Sequence, residues 1–269
     1  MDKIATVETL ALYLLLGACV GVVAGLFGVG GGLIIVPALL FIFHANGISS
    51  AVIMHLAIGT SLATIMITSL SSVRAHHQHG AVLWPVFIKL APGIVAGTLL
   101  GAYIVDQLPS ATLRVIFGVF ELLVAAQMGF GIKAAPHRQL PGWPGMSLAG
   151  IIIGKVSAII GIGGGTLTVP FLVWCNTGIR QAVATSAACG LPIAVAGTLG
   201  FVITGWNASA LPVWSTGYIY WPAFAGIALA SVFFAPLGAR LAHTLPADKL
   251  KRYFAILLAF LGLRMLLFS

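Results

Sequence analysis

The chain has 269 residues, of which 60% are hydrophobic and only 7% charged, and its formal net charge is +8 at pH 7. Soluble domains use roughly 25% charged residues, so this composition excludes a water-soluble globule and describes an integral membrane protein in a lipid bilayer. The cations stand singly between apolar stretches, with no basic patch or aromatic interleaving; this argues against nucleic acid as a partner and fits the orientation of membrane loops.

A membrane span needs about 20 mostly apolar residues. Met1 to Ala5 sets one Lys against one Asp, a poor start for a signal peptide. Leu16-Gly17-Ala18-Cys19 loosely resembles a lipoprotein cleavage site, but the apolar stretch runs past it, so the first segment is expected to be retained. Glu8–Phe27 is long enough to span, whereas Leu33–His44 is a partial one. Ser50–Ser72, Val82–Val105 and Ala111–Ile132 read as ordinary spans. Pro136, Pro141 and Pro144, with Lys133, His137 and Arg138, mark a boundary. The chain therefore divides into a first repeat over residues 1–132, a loop over 133–145 and a second repeat over 146–269. That second repeat follows the same plan, with Met146–Ile160, a glycine break, the short Thr166–Trp174, and then Gln181–Thr204, Gly217–Leu241 and Lys249–Phe268.

The halves are tied together by one motif. Phe27-Gly28-Val29-Gly30-Gly31-Gly32-Leu33-Ile34-Ile35-Val36-Pro37 returns as Ile160-Gly161-Ile162-Gly163-Gly164-Gly165-Thr166-Leu167-Thr168-Val169-Pro170. In a chain this apolar, such a stretch predicts a helix that stops, opens its backbone and restarts. Ala57-Ile58-Gly59-Thr60-Ser61 likewise matches Ala182-Val183-Ala184-Thr185-Ser186. Trp84-Pro85 pairs with Trp221-Pro222, Gly101-Ala102 with Gly238-Ala239, Leu108-Pro109 with Leu245-Pro246, and Phe117 with Phe254.

The cations also choose the relative orientation of the halves. If each short segment crosses, or forms a return pair with its predecessor, Arg74, Lys133, Arg138, Arg180, Arg240, Lys249, Lys251 and Arg252 share one side. The positive-inside rule then favours an all-α fold of two inverted-topology repeats, each a glycine-broken helix followed by three transmembrane helices.

Helices restarting at Leu33 and Thr166 offer N–H groups without intrahelical acceptors and the positive end of the helix dipole. Gly30, Gly31 and Gly32, with Gly163, Gly164 and Gly165, present such donors without a Cβ in the way and are the candidate backbone ligands of an anion. Thr60, Ser61, Thr185, Ser186 and Thr166 add candidate hydroxyl donors, which contact an oxyanion without adding charge. Small residues also permit close helix packing, and membrane Ser and Thr often bond back to the preceding turn; both readings stay open at this point.

Lys89, Lys155 and Glu121 fall within spans, where a charge is costly and is expected to face a cavity or a partner. Lys155, on the segment leading into the second break, is the candidate charge near the anion; snorkelling is the alternative. Glu121 is the candidate carrier of a coupling proton, a structural pair with a Lys or a hydroxyl being the alternative. His76, His77 and His79 read as a solvated basic loop, and no metal or cofactor is expected. The glycines lack both the preceding strand and the Gly-Lys-Ser/Thr of nucleotide loops. Cys19, Cys175 and Cys189 have no metal or CxxC spacing and read as small buried residues. Without paired carboxylates or a nucleophile with its base, an enzyme is not expected.

The two glycine motifs, each followed by an Ala-x-x-Thr-Ser element, resemble the sulfite exporter TauE/SafE family over nearly the whole chain. The resemblance implies a multi-pass transporter of the bacterial inner membrane that moves a small sulfur-containing anion, sulfite or an organosulfonate, usually outward. The family's second motif usually has a small or apolar residue where this chain has Lys155. The residues and the resemblance together lead to a secondary transporter alternating around a midplane anion site. The rival is a non-transporting membrane scaffold or assembly subunit that uses the glycines for packing. Neither the oligomeric state nor the coupling ion is set by the sequence.

Overall fold

The computed structural model describes residues 7–27, 31–131, 138–244 and 247–267. The first half contains α1 (Val7–Phe27), α2 (Gly32–Ala45), α3 (Ile53–Gln78), α4 (Trp84–Asp106) and α5 (Ser110–Gly129). Its counterpart contains α6 (Trp143–Ile160), α7 (Gly165–Trp174), α8 (Ile179–Thr204), α9 (Trp221–Thr244) and α10 (Ala247–Leu267), with a small hairpin, β1 (Ser215–Thr216) and β2 (Ile219–Tyr220), before α9. Among the described residues, seven helices are long and apolar enough to cross a membrane, and α2 and α7 are shorter apolar helices. The protein is thus an all-α multi-pass membrane protein.

Each half opens with a helix that packs on the other half. Glycines set the closeness of both crossings, as small residues do between membrane helices. On α1, Gly17 lies against the backbone of Ile227 and Gly21 against that of Ser231, while Gly238 of α9 meets Val22. On α4, Gly93 and Gly97 press against the backbone of Ser147 and Ile151 of α6, and Gly150 and Gly154 return the contact to Leu90 and Ile94. The equivalent helices α3 and α8 pack on one another, as do the equivalent last helices α5 and α10.

Polar contacts sort the helix ends into two groups. At one end, the start of α3 meets the end of α4 and the hairpin that follows α8. His55 places Nε2 3.1 Å from both Val105 O and Leu108 O, which requires a proton on that nitrogen, while the Tyr218 hydroxyl donates to Asp106 Oδ1 at 2.8 Å. At the other end, Ala81 and Val82, just after α3, pack on Ala184 and Ala188 near the start of α8. Helices α3 and α8 therefore run antiparallel. Here too, Arg138 N donates to Trp174 O at 3.2 Å and the Arg138 guanidinium lies 5.3 Å over the Trp174 ring. The pair α6–α7 consequently starts and finishes at the same end of the molecule.

Several boundaries differ from the sequence reading. Helix α3 continues past Ser72 to Gln78, because a helix leaving the apolar layer need not stop where hydrophobic residues do. His76 and His77 are thereby on its last turn, not in a loop, and the His77 ring meets Trp84 at 5.5 Å. Helix α6 begins inside the expected 133–145 loop, with Pro144 in its first turn, where a missing N–H costs nothing. Gly217, expected within a span, turns the β-hairpin at φ +55°. Cys19 is exposed on the outer side of α1, whereas Cys175 and Cys189 are buried as expected; an apolar span tolerates cysteine on either side.

Candidate functional site

The two breaks lie against each other. Gly32, the first residue of α2, is so close to the second break that a Cβ there would stand 2.5 Å from Gly161 O and 2.9 Å from Ile162 Cα. Gly161 itself is pressed between Ile58 of α3 and Val36 of α2. Ser61 fixes the junction by donating its hydroxyl to Gly161 O at 2.9 Å. Two turns need glycine for conformation: Gly31, at φ +75°, precedes α2, and Gly161, also at φ +75°, ends α6.

The restart of α7 is rich in unengaged donors. Its first intrahelical bond runs from Thr168 N to Gly164 O at 2.8 Å, so the N–H groups of Gly163, Gly164, Gly165, Thr166 and Leu167 have no backbone acceptor among the described residues. Pro170 inside α7 cannot bond back to the Thr166 carbonyl, and Pro37 repeats this relation to Leu33 in α2. Hydroxyls are unengaged as well. Ser157, Thr166, Thr168 and Ser186 all have buried side-chain oxygens without a hydrogen-bond partner. Gly164 is the centre of a tight group: a Cβ there would meet Ser186 O at 2.8 Å and Thr168 Oγ1 and Gly190 N at 3.3 Å each. Gly190 faces Ser69 Oγ in turn. Gly163 is more open, its nearest neighbour being Ile65 Cγ2 at 3.4 Å.

The expected hydroxyl ligands divide by role. Thr60 and Thr185 are fully buried and brace backbone of the opposite half. Thr60 Oγ1 receives Tyr220 N at 3.0 Å, and Thr185 Oγ1 receives Leu83 N at 3.0 Å. Tyr220 and Leu83 each immediately precede a Trp-Pro helix start, so the two bonds are equivalent under exchange of the halves. Ser61 spends its proton on Gly161, while Ser186, its counterpart, is 1% exposed and has no partner. Gly30 lies outside the described residues. Lys155 is half-buried on α6, and neither it nor Lys89 makes an ion pair among the described residues. Glu121 is fully buried on α5, and both of its carboxyl oxygens are without a partner.

Sequence reasoning missed Ser69, Ser157, Thr168 and Gly190. Thr168 was inside the repeated motif, two residues beyond Thr166, and its place there was the available signal. Ser69 and Gly190 come into range only because α3 and α8 cross, which no local pattern encodes. Among the described residues no group of three or more His, Cys, Asp or Glu side chains is arranged to hold a metal ion.

The contact between the two glycine breaks and the apolar helices around it define the class: a polytopic all-α membrane protein. Residues 13–265 match the family described as sulfite exporter TauE/SafE, and the chain belongs to that family. A probable membrane transporter protein of Haemophilus influenzae is 37% identical over 95% of this chain and 97% of its own length. One of the same description from Methanocaldococcus jannaschii is 30% identical over 96% of both chains. A third, from Bacillus subtilis, is 30% identical over 72% of this chain and 78% of its own. No solved structure matches the chain significantly.

Proposed function

We propose that this chain is a secondary transporter of the bacterial inner membrane for a small sulfur-containing anion, sulfite or an organosulfonate. In this reading the halves are inverted repeats that rock against each other around the paired breaks. The anion is held by N–H groups of Gly163 to Thr166 and of the first break, by the hydroxyls of Thr166, Thr168 and Ser186, and by charge from Lys155. The observation that carries the reading is the contact of Gly32 with Gly161 and Ile162, beside a helix start whose N–H groups have no backbone acceptor, and whose hydroxyls have no partner, among the described residues. A buried donor without an acceptor is costly, and an oxyanion supplies several acceptors at once. Inversion is supported by the antiparallel course of α3 and α8 and by the return of α7 to the end where α6 begins. Family membership supports transport and the sulfur-anion class.

Counterflow in proteoliposomes tests the reading. Vesicles preloaded with unlabelled sulfite are expected to accumulate external labelled sulfite transiently, and sulfoacetate is expected to compete where chloride does not. Absence of counterflow with sulfite, sulfoacetate and sulfate, in protein shown to be folded, would overturn the proposal and leave the glycines as packing devices.

A further inference from the structure

Glu121 is not among the residues gathered at the two breaks, and among the described residues its carboxyl group has no hydrogen-bond partner. It lies in the middle of α5, fully buried, with neither carboxyl oxygen hydrogen-bonded. The equivalent position of the second half, one residue-for-residue step along α10, is Leu258, also fully buried. The same place in the fold is thus filled without difficulty by a hydrocarbon side chain, so packing does not ask for a carboxyl group.

Nor do its neighbours. On α10, Arg264 is stacked over Phe41 at 4.1 Å and Arg252 is exposed. On α3, His55 is committed to the carbonyls that end α4. Arg114, two turns back on α5, and Lys155 on α6 do not pair with the carboxylate. Among the described residues no counter-charge or donor meets the carboxyl group, and an ionised carboxylate so placed is costly in hydrocarbon.

The position matters because α5 and α10 are the equivalent last helices of the two halves and cross each other at glycines. A Cβ on Gly118 would meet Gly262 O at 3.1 Å, one on Gly262 would meet Gly118 O at 3.0 Å, and the Glu121 Cβ is 3.3 Å from the latter position. Glu121 therefore sits in the seam between the halves. In the alternating-access reading proposed above, movement of one half against the other would open that seam to water at one end or the other. We infer that Glu121 is the proton-coupling site of the carrier: its carboxylate binds a proton from the aqueous side to which the seam is open, crosses the closed state as the neutral acid, and releases the proton when the opposite side opens. No covalent bond other than O–H forms or breaks. The inference rests on the transport reading above, and it adds the coupling ion and its residue.

The test uses Glu121→Leu, which copies the other half, and Glu121→Gln, each reconstituted beside the wild type. Labelled sulfite and labelled sulfoacetate are used, the latter because its acid groups stay ionised across about pH 6 to 8. Wild-type net flux is expected to respond to an imposed pH gradient, and both variants are expected to lose that response while keeping counterflow. Carbodiimide is expected to label Glu121 in the wild type, and labelling should fall as the pH is raised. Counterflow with an unaltered gradient response in both variants would overturn the coupling role alone, as would failure of the carbodiimide to modify Glu121. Absence of counterflow in the folded wild type would overturn the transport reading and the coupling with it.

Discussion

Thr185 Oγ1 receives the backbone N–H of Leu83 at 3.0 Å, so a residue of the second half holds the chain at the point where α4 of the first half begins. Thr60 does the same for Tyr220 at the head of α9. Valine matches threonine in shape but cannot accept a hydrogen bond. Thr60→Val is expected to cost about 1 to 3 kcal/mol, the penalty of a buried unsatisfied donor. Thr185→Val is expected to cost less, since Leu83 is only partly buried. Serine at either position should restore most of the loss. Chemical denaturation in detergent reads these differences, and equal stability of Thr60→Val and wild type would refute the brace.

The glycines of the breaks are not interchangeable. Gly32→Ala drives a methyl into Gly161 O and Ile162 Cα, both backbone atoms that cannot swing away, and is expected to destabilise the protein and abolish counterflow. Gly163→Ala meets only a side-chain methyl at 3.4 Å and is expected to fold normally. Thermal melts of the purified variants check the ranking, which fails if Gly163→Ala proves the less stable of the two.

Ser61 and Ser186 occupy equivalent positions but are expected to respond differently. Removing the Ser61 hydroxyl frees Gly161 O and should cost about 1 kcal/mol. Ser186→Ala removes a hydroxyl that has no partner and should leave stability within about 0.5 kcal/mol of wild type. If Ser186 faces the anion, the same variant weakens competition by sulfoacetate in counterflow. Unchanged competition would remove Ser186 from the site.

Tyr218, in the hairpin outside the spans, links the halves through Asp106. Burial and the hydrogen bond to the Asp106 carboxylate raise its hydroxyl above the ordinary phenol range. The folded chain therefore keeps this proton at a pH where the unfolded chain has lost it. The resulting stability is complete below about pH 10 and declines above it. Tyr218→Phe should be about 1 kcal/mol less stable at neutral pH and should lose less stability as the pH climbs beyond about 10. Parallel unfolding curves for the two proteins across that range would show that Tyr218 contributes nothing to the alkaline limb.

Orientation is open to direct measurement. In a background lacking the three native cysteines, Ser50→Cys and Asn207→Cys, both exposed and at the end that carries Asp106, should react with an impermeant maleimide from outside the cell. His79→Cys and Gln181→Cys, exposed at the other end, should react only after the membrane is opened. Labelling of all four from one side would rule out the inverted arrangement.

The broken helices were legible because glycine repetition and proline are strong local signals, and the duplication multiplied them. Seven of the eight full-length spans expected from hydropathy return, among the described residues, as helices long and apolar enough to cross a membrane, Lys249–Phe268 being the one that does not. What escaped was set by long-range geometry or by polar residues that continue a helix. The hairpin before α9 is an addition to the second half with no copy in the first, so the repeat pattern was silent about it. The bonds made by Thr60 and Thr185 reach residues more than a hundred positions away, which no spacing rule anticipates. Cys19 looked buried because hydropathy reports insertion in the bilayer and does not separate lipid-facing from protein-facing sides.

The exchange of helices between halves bears on how the protein is made. Helix α1 emerges from the ribosome first, but α9, against which its glycines close, is among the last segments to appear, and α4 likewise waits for α6. Neither half holds its own complete set of neighbours, so early helices must dwell in the bilayer with their close-packing surfaces covered by lipid or by an insertion factor. Cutting the chain between residues 131 and 138 is therefore expected to give two fragments that recover folded protein only when made together, since each leaves glycine faces of α1, α4, α6 and α9 without their partners.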